Sequence, residues 1–403
     1  MASPSASTFL VVLLGALIGM TALGMDMFLP SVPSIAQAFG AEPAAGQLAV
    51  TTYLLGVACG QLAWGPLADR YGRKPVLLCA LAVFFGSSAA CALADSLQTV
   101  VLLRFVQGVG TTSGPVIARS IVRDLAAHEE AAKLLARLTV VFGFFPVACP
   151  LIGAQMLAIG GWRSVFWLYA FVALVLWLVV AFRLPETAPR ERLSLAPRRI
   201  VRGFAALLTD RRFIAPLLTA LCAQMGILAF VATSSLVLVQ ALQVTPQAFG
   251  VLFSMVMIGQ MVGGFAGARL VGRLGMERMM RIGVALALAS GVLLALLAFF
   301  GVAHWSAVVL PMLSYILGTA FLVPSVMAAA MTPFPRMAGS ASSLLGSLPF
   351  ALGALVSAAL GAAFDGTARP FALAVALAGA GAFAAERLLL RPVLRAAKAT
   401  AHG

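Results

Sequence analysis

Charge is the scarcest chemistry in this chain. Only 10% of the 403 residues are Asp, Glu, Lys or Arg, against roughly 25% in a soluble globular domain, which excludes an ordinary water-exposed surface. Histidine is almost as rare. Three scattered copies provide neither a zinc cluster nor a Ser/His/Asp or Cys/His catalytic set. The five cysteines, Cys59, Cys79, Cys91, Cys149 and Cys222, sit in apolar stretches without CxxC spacing. They read as small buried hydrophobes, excluding a disulfide framework or a metal site. No GxxxxGK[ST] phosphate loop occurs, so ATP is not expected to drive whatever the chain does. No basic residue precedes Arg70, whereas a cleavable signal peptide needs a positive n-region. The stretch from Phe9 to Phe28 is also too long for an h-region, and is expected to stay as a membrane helix.

What remains is hydrophobic: 62% of residues, with a mean hydropathy of +1.04. In lipid the structural unit is an apolar stretch of about 20 residues, enough to cross a hydrocarbon core of about 30 Å. The continuous apolarity of these stretches excludes a β-barrel, whose strands alternate over about 10 residues. The runs and their breaks predict an all-α membrane protein with twelve transmembrane helices. The first six lie near 8–30, 46–67, 76–94, 97–120, 134–157 and 163–183. The other six lie near 212–240, 247–271, 279–300, 304–331, 337–363 and 369–390. The polar stretch between the sets, rich in Arg and Pro, predicts a six-helix half at 1–183 and a linker at 184–211. A second half at 212–390 and a tail at 391–403 complete the organisation.

The net charge of +14 does not gather on one face, as a nucleic-acid site would require, but alternates between loops. Twenty-four of the 27 Lys and Arg fall on one side of the predicted membrane. Only Arg163 and Arg369 fall on the other, and Arg104 lies within it. The positive-inside rule then places both termini and the linker in the cytoplasm. An internal repeat supports the two halves. Leu67-Ala68-Asp69-Arg70-Tyr71-Gly72 aligns with Leu270-Val271-Gly272-Arg273-Leu274-Gly275, as in transporters built from parallel repeats.

One loop is distinctive. Gly65-Pro66-Leu67-Ala68-Asp69-Arg70-Tyr71-Gly72-Arg73-Lys74-Pro75 resembles the signature of the major facilitator superfamily in its usual place after the second helix. Arg104-Phe105-Val106-Gln107-Gly108-Val109-Gly110, Gly161-Trp162-Arg163 and Leu184-Pro185-Glu186-Thr187 are similar to further motifs of that superfamily. Met25-Asp26-Met27-Phe28-Leu29-Pro30-Ser31-Val32-Pro33 and Phe334-Pro335-Arg336-Met337-Ala338-Gly339-Ser340-Ala341-Ser342-Ser343 look like its Bcr/CflA branch, the bicyclomycin and chloramphenicol exporters. The resemblance spans the chain. It implies a major facilitator fold and a proton-coupled antiporter exporting small amphipathic drugs through the bacterial inner membrane. The lipid bilayer, protons and the drug would be its partners, it would work as a monomer without a cofactor, and the proton gradient would drive it. An exporter of a small metabolite such as a nucleoside or peptide, a proton symporter and a non-transporting sensor are the other readings of such a chain.

The residues carry readings of their own. Asp69, Arg70, Arg73 and Lys74 crowd around Gly72, where a tight turn needs a residue without a Cβ. Asp69 near the N-terminal end of a neighbouring helix would be favoured by its dipole. The resemblance implies a cytoplasmic latch of Gly65, Asp69, Arg70, Gly72, Arg73 and Asp124, reaching Gly339 and Ser340 at the start of the eleventh helix. Ordinary topogenic loop charge is the alternative. The second copy has Gly272 for the acid, which puts a latch there in doubt.

Asp26 and Arg104 are the ionisable groups expected well inside helices. Charges at membrane depth default to functional roles, so the pair is the expected coupling site. Burial favours a protonated carboxyl and a nearby guanidinium an ionised one; a contact that changes could load and release a proton. A static ion pair tying the first helix to the fourth is the other reading. Arg104 cannot itself carry the proton, because a guanidinium stays charged. Pro146 and Pro150 in the fifth helix form a degenerate antiporter motif or a packing kink. Phe28, Tyr53, Gln61, Gln107, Gln224, Ser234, Ser235 and Tyr315 are candidates for a mostly apolar substrate cavity, or for interhelical packing. The second half has no carboxylate expected well inside a helix, since Asp365 lies at an end.

Overall fold

The computed structural model describes residues 8–125, 128–188 and 197–402. Among them there is no strand. The chain divides into two compact units, Met1–Leu195 with Pro246–Val251, and Ala196–Thr245 with Leu252–Gly403. In the first unit the helices are α1 (Thr8–Asp26), α2 (Val32–Ala38), α3 (Pro43–Tyr71), α4 (Arg73–Ala92), α5 (Leu97–Thr111), α6 (Ser113–Leu125) and α7 (His128–Arg183). In the second they are α8 (Pro197–Thr209), α9 (Arg211–Ser235), α10 (Pro246–Leu274), α11 (Met276–Phe299), α12 (Ser306–Met331), α13 (Ala338–Ala362), α14 (Arg369–Ala385) and α15 (Arg391–His402); the first turns of α10 belong to the other unit.

Among the described residues, eleven helical stretches are long and apolar enough to cross a membrane, one of them the 51 residues Lys133–Arg183. At 1.5 Å per residue that stretch would be about 75 Å long, more than twice the hydrocarbon core. It is two spans. Gly160 (φ −138°) and Gly161 (φ 67°, ψ −173°) leave helical geometry and separate them, giving twelve. Phe171, Leu174, Leu178 and Phe182 in the second of these spans are exposed, an apolar stripe at helical spacing suited to face lipid.

Several boundaries differ from the sequence expectation, each for a local reason. The first segment is not continuous to residue 30 but breaks after Asp26 and resumes through a short 3₁₀ turn (Leu29–Ser31) into α2. Pro30 has no N–H for the Asp26 carbonyl, and Pro33 none for that of Leu29. The fourth segment likewise divides at Thr112, where Pro115 cannot donate to Thr111. The Thr111 carbonyl instead accepts the Thr21 hydroxyl at 3.4 Å. The expected linker contains α8, which lays Leu207 and Phe204 on a core of Phe213, Leu217, Leu221, Ala330, Ala341, Leu344 and Leu345 and leaves Arg202 exposed. Arg190 and Arg192 of that linker lie outside the described residues. The last helix does not stop at 390. It passes through a π turn (Glu386–Leu390) into α15, so the expected tail is helical.

The seam between α3 and α5 is built from small residues. A Cβ on Gly56 would overlap the Phe105 carbonyl, and one on Gly108 the Tyr53 carbonyl. Backbones this close gain dispersion contact that lipid tails cannot supply. Thr52 donates to the Val101 carbonyl at 2.7 Å and the Trp64 indole to that of Val109 at 2.6 Å, fastening both ends of the seam. Gly56→Ala is therefore expected to destabilise the protein by about 1–3 kcal/mol through overpacking, read as a lower melting temperature in detergent. Gly86→Ala, whose added Cβ meets nothing within 4 Å, should leave the melting temperature unchanged or raise it slightly.

Candidate functional site

The break in α1 leaves carbonyls that the helix no longer satisfies. The Phe28 N–H, due to bond Gly24, turns to Met25 at 3.2 Å, which frees the Gly24 carbonyl inside the membrane span. Arg104 fills the vacancy: its Nη1 donates to Gly24 at 2.9 Å, and the Tyr169 hydroxyl donates to the same oxygen at 3.5 Å. The guanidinium thus caps the negative end of α1, where the helix dipole favours a cation. Its Nη1 also donates to Gln107 Oε1 and its Nε to Ala49 at 3.4 Å. The amide nitrogen of Gln107 passes the chain on to Ser88 at 2.7 Å, and Ser88 to the Phe84 carbonyl at 2.6 Å.

Phe28 and Tyr53 complete the clamp, each ring centroid 4.1 Å from the guanidinium carbon. A desolvated cation–π contact contributes roughly 2 kcal/mol and a hydrogen bond from a charged donor about 1.5–3 kcal/mol. Together they are comparable with the several kcal/mol of effective desolvation for a buried ion. Tyr53 is held in turn, its hydroxyl donating to the Thr21 carbonyl at 2.9 Å and lying 3.1 Å from the Thr111 hydroxyl. Phe28, Tyr53, Arg104 and Gln107 are all fully buried. The three expected cavity residues among them therefore grip Arg104 rather than lining open space.

Asp26 is buried too, at the last residue of α1, but the expected contact with Arg104 is not formed. Among the described residues the hydrogen bonds of the guanidinium go to Gly24, Gln107 and Ala49 and none to Asp26, which removes the static-pair reading for this conformation. The reason is geometric. Arg104 binds the backbone two residues before Asp26 and points its remaining bonds towards Ala49 and Gln107. The groups in electrostatic reach of Asp26 are Tyr53, Tyr169 and Cys149. Gly153 of α7 lies close by, since a Cβ there would overlap the Met27 carbonyl. One donor is left over: Arg104 Nη2 is buried without a hydrogen-bond partner.

The loop after α3 makes a second cluster. Gly72 (φ 104°) turns the chain from α3 into α4. Arg73, itself buried, bridges Asp69 and Asp124, the latter at 3.0 Å. Glu186 completes the cluster, accepting from the Arg73 N–H at 2.9 Å and the Lys74 N–H at 3.2 Å. It thus closes the positive end of α4, whose first N–H groups have no intrahelical partner. The φ requires glycine here, and a Cβ would in addition come within 2.5 Å of Glu186 Oε2 and displace that carboxylate. Every partner belongs to the first unit. Gly65 sits in α3 and Arg70 lies against the ring of Tyr71 at 5.4 Å, so neither joins the network; Gly339 stands exposed in α13 of the second unit. Glu186 was visible only as a motif residue. The signal for its role was an acid just past a helix end, after Pro185, on the heavily basic side.

In the second unit Tyr315 is buried and donates to the Ala223 carbonyl at 3.1 Å. Nearby Gln224 Nε2 is buried without a partner, as is the Ser235 hydroxyl, while Ser234 bonds its own helix at Val231. Gln61 is half-buried in α3 of the first unit. No carboxylate is expected well inside a helix of the second half; Glu386, near the end of the expected last helix, is nevertheless buried, 5% exposed, in the π turn before α15. Its place near a helix end, beside Arg387, concealed it.

The profile of the Major Facilitator Superfamily matches residues 14–358. The chain belongs to that superfamily. It is 33% identical over 375 residues to the Bicyclomycin resistance protein homolog of Haemophilus influenzae, covering 90% of this chain and 92% of that one. It is 34% identical over 356 residues to the uncharacterized MFS-type transporter YdgK of Bacillus subtilis, covering 87% and 88%, and 29% identical over 342 residues to Multidrug resistance protein D of Escherichia coli, covering 84% and 85%. These relatives agree with the Bcr/CflA branch expected from the motifs. A D-xylose-proton symporter structure superposes with a TM-score of 0.74 at 17% identity, covering 94% of this chain and 97% of that one. A POT family transporter in complex with 5-aminolevulinic acid gives 0.76 at 13%, covering 96% of each; both likenesses are of fold. The protein is a multi-pass membrane transporter of small molecules rather than an enzyme.

The Glu186 tether has a pH signature. Partial burial raises the carboxyl, but bonds from the N–H groups of Ala188, Arg73, Lys74 and Thr187 outweigh it and hold Glu186 below the ordinary 4.5. The tether is thus fully present above about pH 4.5 and is lost as pH falls through the lower folded-state value. Glu186→Ala should lower stability at pH 7 by about 1 kcal/mol, a modest figure because the group meets water. The melting-temperature gap to the native protein should close on acidification. A gap that stays constant down to about pH 3 would rule out an ionised tether.

Proposed function

We propose that this transporter exports small amphipathic drugs of the bicyclomycin or amphenicol kind, exchanging them for protons by alternating access. The observation that carries the reading is the pairing of two unmatched groups at membrane depth: Arg104 Nη2, with no hydrogen-bond partner, and Asp26, buried without a counter-ion at the broken end of α1. Arg104, from α5, bonds the α1 backbone two residues before Asp26, so a rearrangement of this region can bring the two groups together. In this reading a proton taken from outside occupies Asp26. Drug arriving from the cytoplasm displaces it, and Arg104 offers the free donor to a carbonyl or hydroxyl of the drug. Aromatic and uncharged polar groups around one free donor suit such ligands, and the relatives named for bicyclomycin and multidrug resistance support resistance as the outcome.

The energy suffices. One charge crossing 100 mV supplies ~2.3 kcal/mol, roughly a 50-fold concentration ratio. We propose further that the chain acts as a monomer without a resident cofactor, in the bacterial inner membrane, with both termini in the cytoplasm as the basic loops imply.

In proteoliposomes with an imposed pH gradient, Asp26→Asn is expected to bind drug yet lose gradient-driven transport. Drug addition should release protons into the compartment from which the drug is taken. Asp26→Asn that folds and still transports under the gradient would remove Asp26 from coupling, and proton movement in the same direction as the drug would make the protein a symporter. Arg104→Lys, which keeps the charge but loses the planar fork, should weaken drug binding about tenfold or more, measured by equilibrium binding in detergent.

A further inference from the structure

A cavity of about 160 Å³ lies in the second unit, away from both clusters described above, lined by residues of α11, the π turn and α15. The π turn creates its geometry. In a regular α-helix two residues five apart are about 500° apart and face different ways. Bonding from i to i+5 restacks them, so Glu386 and Arg391 meet, with Arg391 Nε 3.6 Å from Glu386 Oε1. Arg281 of α11 and Arg395 of α15 add two more guanidiniums to the lining, and Glu277 a second carboxylate. Three arginines against two glutamates leave one positive charge in the cavity walls. Its remaining lining, Met280 and Leu394, is apolar. One carboxylate oxygen, Glu386 Oε2, is buried with no hydrogen-bond partner although the residue is 5% exposed.

We propose that this cavity holds the phosphodiester headgroup of an anionic phospholipid. A single negative charge balances the walls, and guanidiniums match phosphate oxygens in pairs. The surroundings favour a lipid over a soluble phosphate. Ile282 follows Arg281 in sequence and is 39% exposed, while Leu388 and Leu389 of the π turn are 73% and 41% exposed. The polar cavity therefore opens beside an apolar face on which acyl chains can lie. It also sits at the membrane edge that carries the arginine-rich loops, where anionic lipid is attracted. A headgroup with a hydroxyl, such as phosphatidylglycerol, brings in addition a donor of the kind Glu386 Oε2 lacks.

The test uses the full-length protein in phosphatidylcholine–detergent micelles, titrated with phosphatidylglycerol and read by thermal shift and by native mass spectrometry of retained lipid. Phosphatidylglycerol should stabilise the native protein more than phosphatidylcholine does. The apparent affinity should fall roughly tenfold in Arg281→Gln/Arg395→Gln and stay unchanged in Arg269→Gln/Arg273→Gln, which loses the same charge outside the cavity. Should the first double variant fail to fold, Arg281→Lys/Arg395→Lys keeps the charge and is expected to weaken binding by less, in the same direction. Equal weakening in both Gln double variants would mean diffuse surface attraction and overturn the proposal. So would a native protein indifferent to phosphatidylglycerol, or a shift matched by inorganic phosphate or glycerol 3-phosphate at equal concentration, which would make the site one for soluble anions.

Discussion

In hydrocarbon no water is available to a backbone group that a helix has released, so the protein must supply the partner itself. The end of α1 shows how far that single demand reaches. Pro30 and Pro33 stop the helix, the Gly24 carbonyl is released, and a cation from α5 is drawn across to cap it. Burying that cation then recruits two aromatic rings, a glutamine and, behind the glutamine, a serine. The site follows from a backbone shortfall before any substrate is considered.

The two charged clusters of the first unit answer opposite problems. At the loop, Arg73 has two carboxylates, and Glu186 serves backbone donors; every charge there is matched and the turn is held in one geometry. At membrane depth the cation is held by neutral groups, and the nearby carboxylate is left apart. A matched network makes a rigid joint, whereas an unmatched one keeps a second arrangement within reach. Rigidity at the turn and latitude at the break are complementary properties of one helical unit.

Much of this was legible in the residues. Long apolar runs report directly on span number, since crossing is set by transfer from water to lipid. Asp26 and Arg104 stood out for the same reason. What could not be read was partnership. Hydropathy says that a charge at depth is costly, but not whether a carboxylate, a carbonyl or a ring relieves it, and Arg104 chose the latter two. Helix breaks at Asp26 and Thr112 were foreshadowed by Pro30 and Pro115, yet a proline alone does not say whether a span kinks or divides. Glu386 escaped notice because a π turn changes which residues share a face, and the 3.6-residue period used to read a helix cannot anticipate it.

The Glu186 tether carries a mechanical consequence. The carboxylate that fastens the start of α4 is borne by the three residues just beyond the end of α7, where the chain leaves for the other unit. A pull exerted along the connecting segment is therefore delivered sideways into the turn at Gly72 before it can unwind α7. The segment joining the two units is riveted at its origin, and its effective length begins after residue 188 rather than at the helix end.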